Sequence, residues 1–153
     1  MNIDLQTKNI VKTKLEQRGN EYKIKAPVTG SVVLNNAVVA SFGDGSLRFF
    51  GLNQEPFEVK AHKGVILTMS SNGQFVYTGG DDGKFLKISS DGQINEIYNF
   101  GSQWVDCVAS TENYFACSSG KKAYLWVSDD SKPLIMDNSC LLYTSPSPRD
   151  WDE

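Results

Sequence analysis

The sequence predicts an all-β protein, a partial β-propeller with about three four-stranded antiparallel blades of a truncated ring. Three related segments follow one another along the chain, VVASFGDGSLRFFG, VYTGGDDGKFLKIS and YFACSSGKKAYLWV. The apolar residues that end them, Phe50, Ile88 and Trp126, are separated by 38 and again by 38 residues. Helical periodicity is absent from residue 22 onward, so short strands are the repeating element. Repeats of this length that contain only strands are typical of propeller blades.

Each related segment is predicted to form a strand, a tight turn and a second strand. Asp44-Gly45 and Asp82-Gly83 stand at the first two turns, where such residues accept left-handed backbone angles at little cost. Further β-rich runs flank each hairpin: SVVLNN, VILTMSS and WVDCVAS before it, and PFEVKA, INEIYNF and PLIMD after it. Each repeat therefore supplies four strands. The predicted blades span residues 27–62, 63–100 and 101–137.

The segment AHKGVILTMSSNGQFVYTGGDDGKFLKIS resembles a WD repeat. Ala61-His62 stands where the family has Gly-His, Thr78-Gly79 where it has Ser/Thr-Gly, and Asp82 at its turn aspartate. The match is specific in this middle repeat and extends more loosely over residues 27–137. The resemblance implies a ring of blades in a protein that presents loops to protein or peptide partners.

The chain departs from the WD pattern at several positions. Ile88 and Ser89 replace the signature tryptophan and the aspartate after it, and the first and third repeats contain no histidine. Trp126 does occupy the tryptophan position of the third repeat, where Val127 follows it. The resemblance therefore implies the family's side-chain hydrogen-bond chain in one blade only.

By resemblance, His62, Thr78 and Asp82 form a structural hydrogen-bond chain that ties two loops together on one side of the ring. The alternative makes His62 a catalytic base that Asp82 orients, with a serine as nucleophile. Because His62 is the only histidine and the repeat accounts for its place, we predict the structural role and no catalytic residue.

The composition and the motifs argue against several classes of function. The net charge of -3 predicts no attraction to nucleic acid or to anionic membranes. The acids of GGDDGK lack the ligand spacing of a calcium loop, and SFGDGSLRFFG precedes a strand instead of a helix. We therefore predict no metal site and no cofactor. The chain has no signal-like start and no run of about 18 apolar residues, so we expect a soluble cytoplasmic protein.

The three cysteines are too few and too irregularly spaced for a disulfide framework. Cys107 and Cys117 flank a predicted turn, which permits a bridge between them. Reduced, buried thiols are the interpretation that we favour for a cytoplasmic protein.

Both ends of the chain stand apart from the repeats. The run CLLYTSPSPRD resembles the conceptual translation of a sequencing-library adapter, so we interpret residues 140–153 as a non-native tail. A genuine flexible Ser/Pro-rich tail is the alternative. Because the run interrupts the third repeat, we expect an N-terminal fragment of a longer propeller. Residues 21–26, EYKIKA, resemble the end of the first blade and form a possible ring-closing strand; residues 1–20 carry no clear prediction.

Two functions follow from this organisation. The first is a non-enzymatic WD-repeat scaffold that mediates protein–protein interaction. The second is a fragment of a propeller enzyme of the lactonase or quinone-dependent dehydrogenase type, whose channel residues lie mostly outside this chain. The visible innermost strands would offer such an enzyme only Asn35, Asn36 and Asp106.

The scaffold hypothesis places a partner on the side of the ring that carries His62 and Asp82. The residues predicted to meet it are Phe42, Asp44, Lys63, Asp81, Gln103, Trp104 and Lys121. Trp104 is the best anchor, because aromatic side chains bury much area at little entropic cost. The alternative, which the sequence slightly favours, is that Trp104 packs between two blades.

Overall fold

The computed structural model describes residues 11–52 and 54–137, which form three separate four-stranded antiparallel sheets. Blade 1 consists of β1 Val28–Leu34, β2 Ala37–Phe42, β3 Ser46–Gly51 and β4 Phe57–Lys60. Blade 2 consists of β5 Ile66–Ser71, β6 Phe75–Gly80, β7 Lys84–Ser89 and β8 Ile94–Asn99. Blade 3 consists of β9 Val105–Ser110, β10 Phe115–Ser119, β11 Lys122–Trp126 and β12 Leu134–Asp137. Within each sheet the spatial order follows the chain order, so the predicted partial propeller is confirmed.

The blades stack side by side through two apolar cores. The innermost strands β1, β5 and β9 are neighbours, and a hydrogen bond of 2.7 Å joins Ser70 of β5 to Ser110 of β9. The first core is formed by Leu34, Val39, Leu47, Phe49, Ile66, Val76, Leu86 and Ile88. The second is formed by Tyr77, Phe85, Val105, Val108, Phe115, Cys117 and Trp126. Alternate residues of a strand point to opposite sides of its sheet. One set of side chains in a blade therefore packs against the preceding blade, and the other set packs against the following blade.

Within residues 11–52 and 54–137, no sheet covers the outer side of blade 1 or the outer side of blade 3. On blade 1, Val33 and Val38 are directly paired and are 67% and 47% exposed. On blade 3, Leu134 is 61% exposed beside its paired neighbour Leu125. A valine or leucine of this kind contributes about 1.5–3 kcal/mol when it is buried, so both surfaces favour contact with further apolar structure.

A β-bulge recurs at the start of the innermost strand of every blade. The extra residues are Thr29 in β1, Leu67 in β5 and Asp106 in β9, because the neighbours on either side of each are paired with consecutive residues of the next strand. A bulge bends its strand and increases the local twist. Nothing in the sequence indicated these bulges.

The turn between β10 and β11 is one residue shorter than its counterparts in the other blades. Only Gly120 and Lys121 separate these two strands, and Gly120 has φ 61°. Val105 therefore lies 39 residues after its counterpart Ile66, whereas Trp126 lies 38 residues after Ile88. The predicted spacing of 38 residues holds for the third strands, but the first two strands of blade 3 are displaced by one residue.

Two further details differ from the sequence predictions. Asn35 and Asn36 form the turn after β1 instead of belonging to the innermost strand, and Asn35 has φ 49°. Cys107 is exposed, so the prediction of a buried thiol was wrong there, whereas Cys117 is buried as predicted. Both thiols are free, and burial raises the pKa of Cys117 above its ordinary value.

The segment before blade 1 contains α1, Lys14–Arg18, which Thr13 caps through reciprocal hydrogen bonds with Glu16. Residues 21–26 form no strand here. They approach the uncovered side of blade 1, where the Tyr22 and Phe50 ring centroids are 5.7 Å apart.

No helix in the described residues is long and apolar enough to cross a membrane. The proposed non-native tail, residues 140–153, lies outside the described residues.

Candidate functional site

The turns between second and third strands and the loops between blades lie together on one side of the arc, here called the His62 side. His62 is on the loop between β4 and β5. Its Nδ1 is 2.8 Å from Asp82 Oδ1, and its Nε2 is 2.8 Å from Thr78 Oγ1. Because an ionised carboxylate only accepts, Nδ1–H donates to Asp82; in that tautomer of a neutral ring, Nε2 accepts the hydroxyl proton of Thr78. The structure thus brings together all three residues of the predicted chain.

Asp82 is the most heavily bonded carboxylate on this side. The backbone N–H of Lys63 donates to its Oδ2 at 3.1 Å, and that of Lys84 donates to its Oδ1 at 3.2 Å. Burial alone would raise the pKa of Asp82, but the hydrogen bonds from His62, Lys63 and Lys84 outweigh it. The pKa of Asp82 is therefore lowered in the folded protein, which keeps the carboxylate ionised at neutral pH.

Two glycines leave the room that this arrangement needs. A β-carbon at Gly80 would collide with His62 Nδ1. At Gly83, φ is 76° and a β-carbon would collide with the carbonyl oxygen of Gly101 on the next interblade loop. The turn carrying Asp82 therefore contacts two interblade loops, one through His62 and one through Gly101.

In the other two blades, different hydrogen bonds hold the turn between the second and third strands. In blade 1, Asp44 accepts from the backbone N–H of Ser46 at 3.0 Å and from its hydroxyl at 2.6 Å, and these bonds lower the pKa of Asp44. In blade 3 no aspartate occupies the turn. The hydroxyl of Ser119 instead donates to the backbone oxygen of Trp104 at 2.9 Å. Sequence reasoning missed Ser119, because nothing distinguishes this serine from others along the chain.

The geometry does not support the catalytic alternative for His62. Its side chain is 0% exposed, and Asp82 and Thr78 occupy both ring nitrogens. No serine hydroxyl bonds to it in the described part of the chain, so it has no nucleophile to activate. Among the same residues no cluster of three His, Cys, Asp or Glu side chains could hold a metal ion. Asp106, named for the propeller-enzyme hypothesis, accepts from the Ser118 hydroxyl at 2.7 Å.

The residues predicted to meet a partner are distributed unevenly between surface and interior. Those exposed on the His62 side are Asp44, Lys63, Gln103, Trp104 and Lys121. Asp81 is half-buried beside Gly64. Phe42 is only 1% exposed, with the Arg48 guanidinium 5.1 Å from its ring centroid, so its side chain does not reach the surface.

Trp104 is 62% exposed, so it does not pack between two blades. The loop that carries Trp104 is nevertheless restrained by contacts with blade 2 and with blade 3. On one side Gln103 lies against the Gly83 turn, and on the other Ser119 holds the backbone oxygen of Trp104. An exposed indole on such a restrained backbone loses little conformational entropy when a partner covers it.

Comparisons with known proteins agree with this architecture. No protein-family model matches the chain. It is 24% identical over 123 residues to WD repeat-containing protein 90 of Xenopus tropicalis, an alignment that covers 69% of this chain and 7% of that protein.

Three solved structures have similar folds. The RRP9 WD40 repeats superpose with a TM-score of 0.64 at 13% identity, covering 76% of this chain and 40% of that one. The computationally designed Ika4 protein gives 0.65 at 18% identity, covering 79% and 80%. The β-propeller domain of Cps50 (Swd1) from Myceliophteria thermophila gives 0.60 at 17% identity, covering 75% and 44%. The fold is that of part of a WD40 β-propeller, and the chain spans less than half of these two natural domains.

Proposed function

We propose that this chain is part of a non-enzymatic WD-repeat scaffold that binds a protein or peptide on the His62 side. The observation that carries the proposal is Trp104, an exposed indole on a loop restrained by two blades. The docking surface, here called the Trp104 surface, consists of Asp44, Lys63, Asp81, Gln103, Trp104 and Lys121. Phe42 is left out because it is buried.

The character of the Trp104 surface favours a protein partner. Asp44, Lys63 and Lys121 are exposed charges of both signs on the same side of the arc as Trp104. Interfaces between proteins commonly combine a large aromatic anchor with a polar rim of this kind. The small net charge of -3 gives no reason to propose nucleic acid or a membrane as the partner. The free thiols of Cys107 and Cys117 are consistent with a cytoplasmic location, which belongs to the proposal.

The proposal includes a larger ring. We propose that further sheets cover the open sides of blades 1 and 3, and we call the resulting protein the complete ring. Residues 21–26 would then form the outer strand of the blade preceding blade 1, for which the approach of Tyr22 to Phe50 is the support. The domain boundaries of this proposal are residues 1–26 for the N-terminal segment, 27–139 for the three blades and 140–153 for the non-native tail.

A capture experiment on the complete ring tests the docking surface. Proteins recovered with the wild type are identified by mass spectrometry, and the dominant partner is then quantified with Trp104→Ala. We expect partner recovery to fall at least about tenfold, the loss typical of an interface hot spot. The thermal unfolding midpoint should stay unchanged, because the indole is exposed.

Leu52→Ala is the matched control, since Leu52 is 87% exposed on the opposite side of blade 1. It should leave both partner recovery and stability unchanged. Loss of partner recovery only together with loss of folding, or equal loss with the control variant, would contradict docking at Trp104.

A further inference from the structure

A cavity of about 640 Å³ lies between blades 2 and 3 on the side opposite His62. Its rim is formed by the turn between β5 and β6, the turn between β9 and β10, and the residues after β11. Four aromatic residues line it: Phe75, Tyr77, Tyr114 and Phe115. Tyr77 stacks on Phe115 with 5.0 Å between ring centroids, so these walls are packed against one another. We refer to this space as the Lys87 cavity.

An ammonium group already occupies the inner part of the cavity. Lys87 Nζ is 4.2 Å from the Phe75 ring centroid and 5.9 Å from that of Phe115. It also donates to both carboxylate oxygens of Asp129, at 2.9 and 2.8 Å. The Lys87 side chain is only 16% exposed. Aromatic rings combined with a carboxylate are the surroundings in which proteins bind ammonium groups.

Blade packing does not require a lysine at this position, because the corresponding cavity between blades 1 and 2 is lined by Phe57 and Asp91 but by no lysine. There the counterpart of Lys87 is Phe49, which stacks on Phe57 with 4.6 Å between centroids. The counterpart of Phe75 is Ala37. The repeat therefore tolerates a phenylalanine at the position of Lys87, and among the described blades the lysine is particular to the interface of blades 2 and 3.

The remaining polar groups of the cavity also suit a cationic ligand. Glu112 and Asp129 line it against the single positive charge of Lys87, which leaves an excess of negative charge. Asn95 Nδ2 donates to Asp129 at 3.3 Å and helps to hold that carboxylate in place.

We propose that the Lys87 cavity recognises an ammonium group and that Lys87 is a resident cation which the ligand displaces from Asp129. The ligand is a lysine side chain of a peptide, methylated or not, or a small quaternary ammonium compound. This site lies on the other side of the arc from the Trp104 surface and does not depend on that proposal. Because Lys87 competes from within the protein, the wild type binds more weakly than a protein whose cavity is vacant.

Binding measurements on the complete ring test the proposal. The probes are choline and a short peptide containing trimethyllysine, with 3,3-dimethylbutanol as the neutral counterpart of choline. Lys87→Met removes the resident charge but keeps an unbranched side chain, and we expect it to bind the cationic probes at least about tenfold more tightly than the wild type. Asp129→Asn should reduce binding at least about tenfold, and Lys14→Met on the exposed helix α1 should change nothing. The two cationic probes distinguish a peptide source from a small-molecule source.

Several results would overturn the proposal. One is the absence of saturable binding of either cationic probe to a folded Lys87→Met protein. Another is equal affinity for choline and 3,3-dimethylbutanol, which would make the cavity merely apolar. If Lys87→Met does not fold, Lys87→Gln replaces it, and wild type is compared with Asp129→Asn by the chemical shifts of Tyr114. Identical titrations of these two proteins would then reject the site.

Discussion

At the scale of single residues, the structure of the His62 side depends most on the side chain of His62. It has no exposed surface, and it bonds to Asp82 on a turn and to Thr78 on a strand. Its position was predictable from the sequence, because the Ala-His pair and the turn aspartate resemble a known pattern. The exposure of Trp104 and the burial of Phe42 were not, since both depend on which loops and side chains cover them.

We expect His62→Ala to lower the free energy of unfolding of the complete ring by about 1–3 kcal/mol, because Asp82 and Thr78 lose a buried partner. Lys63→Ala is the control, since Lys63 contributes only its backbone N–H to Asp82. Chemical denaturation of the three proteins measures the difference. An unchanged unfolding midpoint for a soluble His62→Ala protein would contradict the structural role.

The lowered pKa of Asp82 makes its contribution depend on pH. Since that pKa is lower in the folded than in the unfolded protein, the contribution is complete above the unfolded value of about 4 and is lost as the pH falls through the folded value. The unfolding free energies of the wild type and of Asp82→Asn should therefore differ at pH 7 and converge at acidic pH. A difference that stays constant from neutral to strongly acidic pH would show that ionised Asp82 contributes nothing.

At the scale of elements, the turns determine how neighbouring blades meet. The order of the strands was predictable, because turn residues and apolar runs alternate regularly along the chain. The bulges at Thr29, Leu67 and Asp106 were not, since a bulge follows from the twist of a sheet against its neighbour and requires no particular residue. The shorter turn of blade 3 was also missed, because compensating lengths elsewhere preserve the spacing of 38 residues at Trp126.

Alanine substitutions at Gly83 and Gly73 measure how much the contact between the Asp82 turn and the Gly101 loop contributes to stability. Both have positive φ, but a β-carbon at Gly83 would collide with Gly101, whereas one at Gly73 would meet no atom within 4 Å. Each alanine substitution should cost about 1 kcal/mol through backbone strain, and Gly83→Ala should cost about 1–3 kcal/mol more. Comparing the free energies of unfolding of the two variants tests this prediction. Equal losses would mean that the turn does not pack against the loop of Gly101.

At the scale of the whole molecule, the arc buries two interblade cores and leaves two sides uncovered. Val38 of β2 is 47% exposed on the open side of blade 1, whereas its counterpart Val76 is fully buried between blades 1 and 2. Stability in repeat folds comes largely from the interfaces between neighbouring units. Three blades provide two such interfaces, so we expect the chain alone to have little cooperative stability.

The central claim, that these three sheets are an arc of a larger WD-type ring, is tested most directly by thermal unfolding of residues 1–139 combined with sedimentation analysis. The uncovered apolar sides predict a protein that aggregates, or that keeps β-structure without a sharp transition. The complete ring should instead unfold cooperatively as one species. A sharp, cooperative transition of a monomeric 1–139 protein would contradict the claim, because the three blades would then be stable without covering sheets.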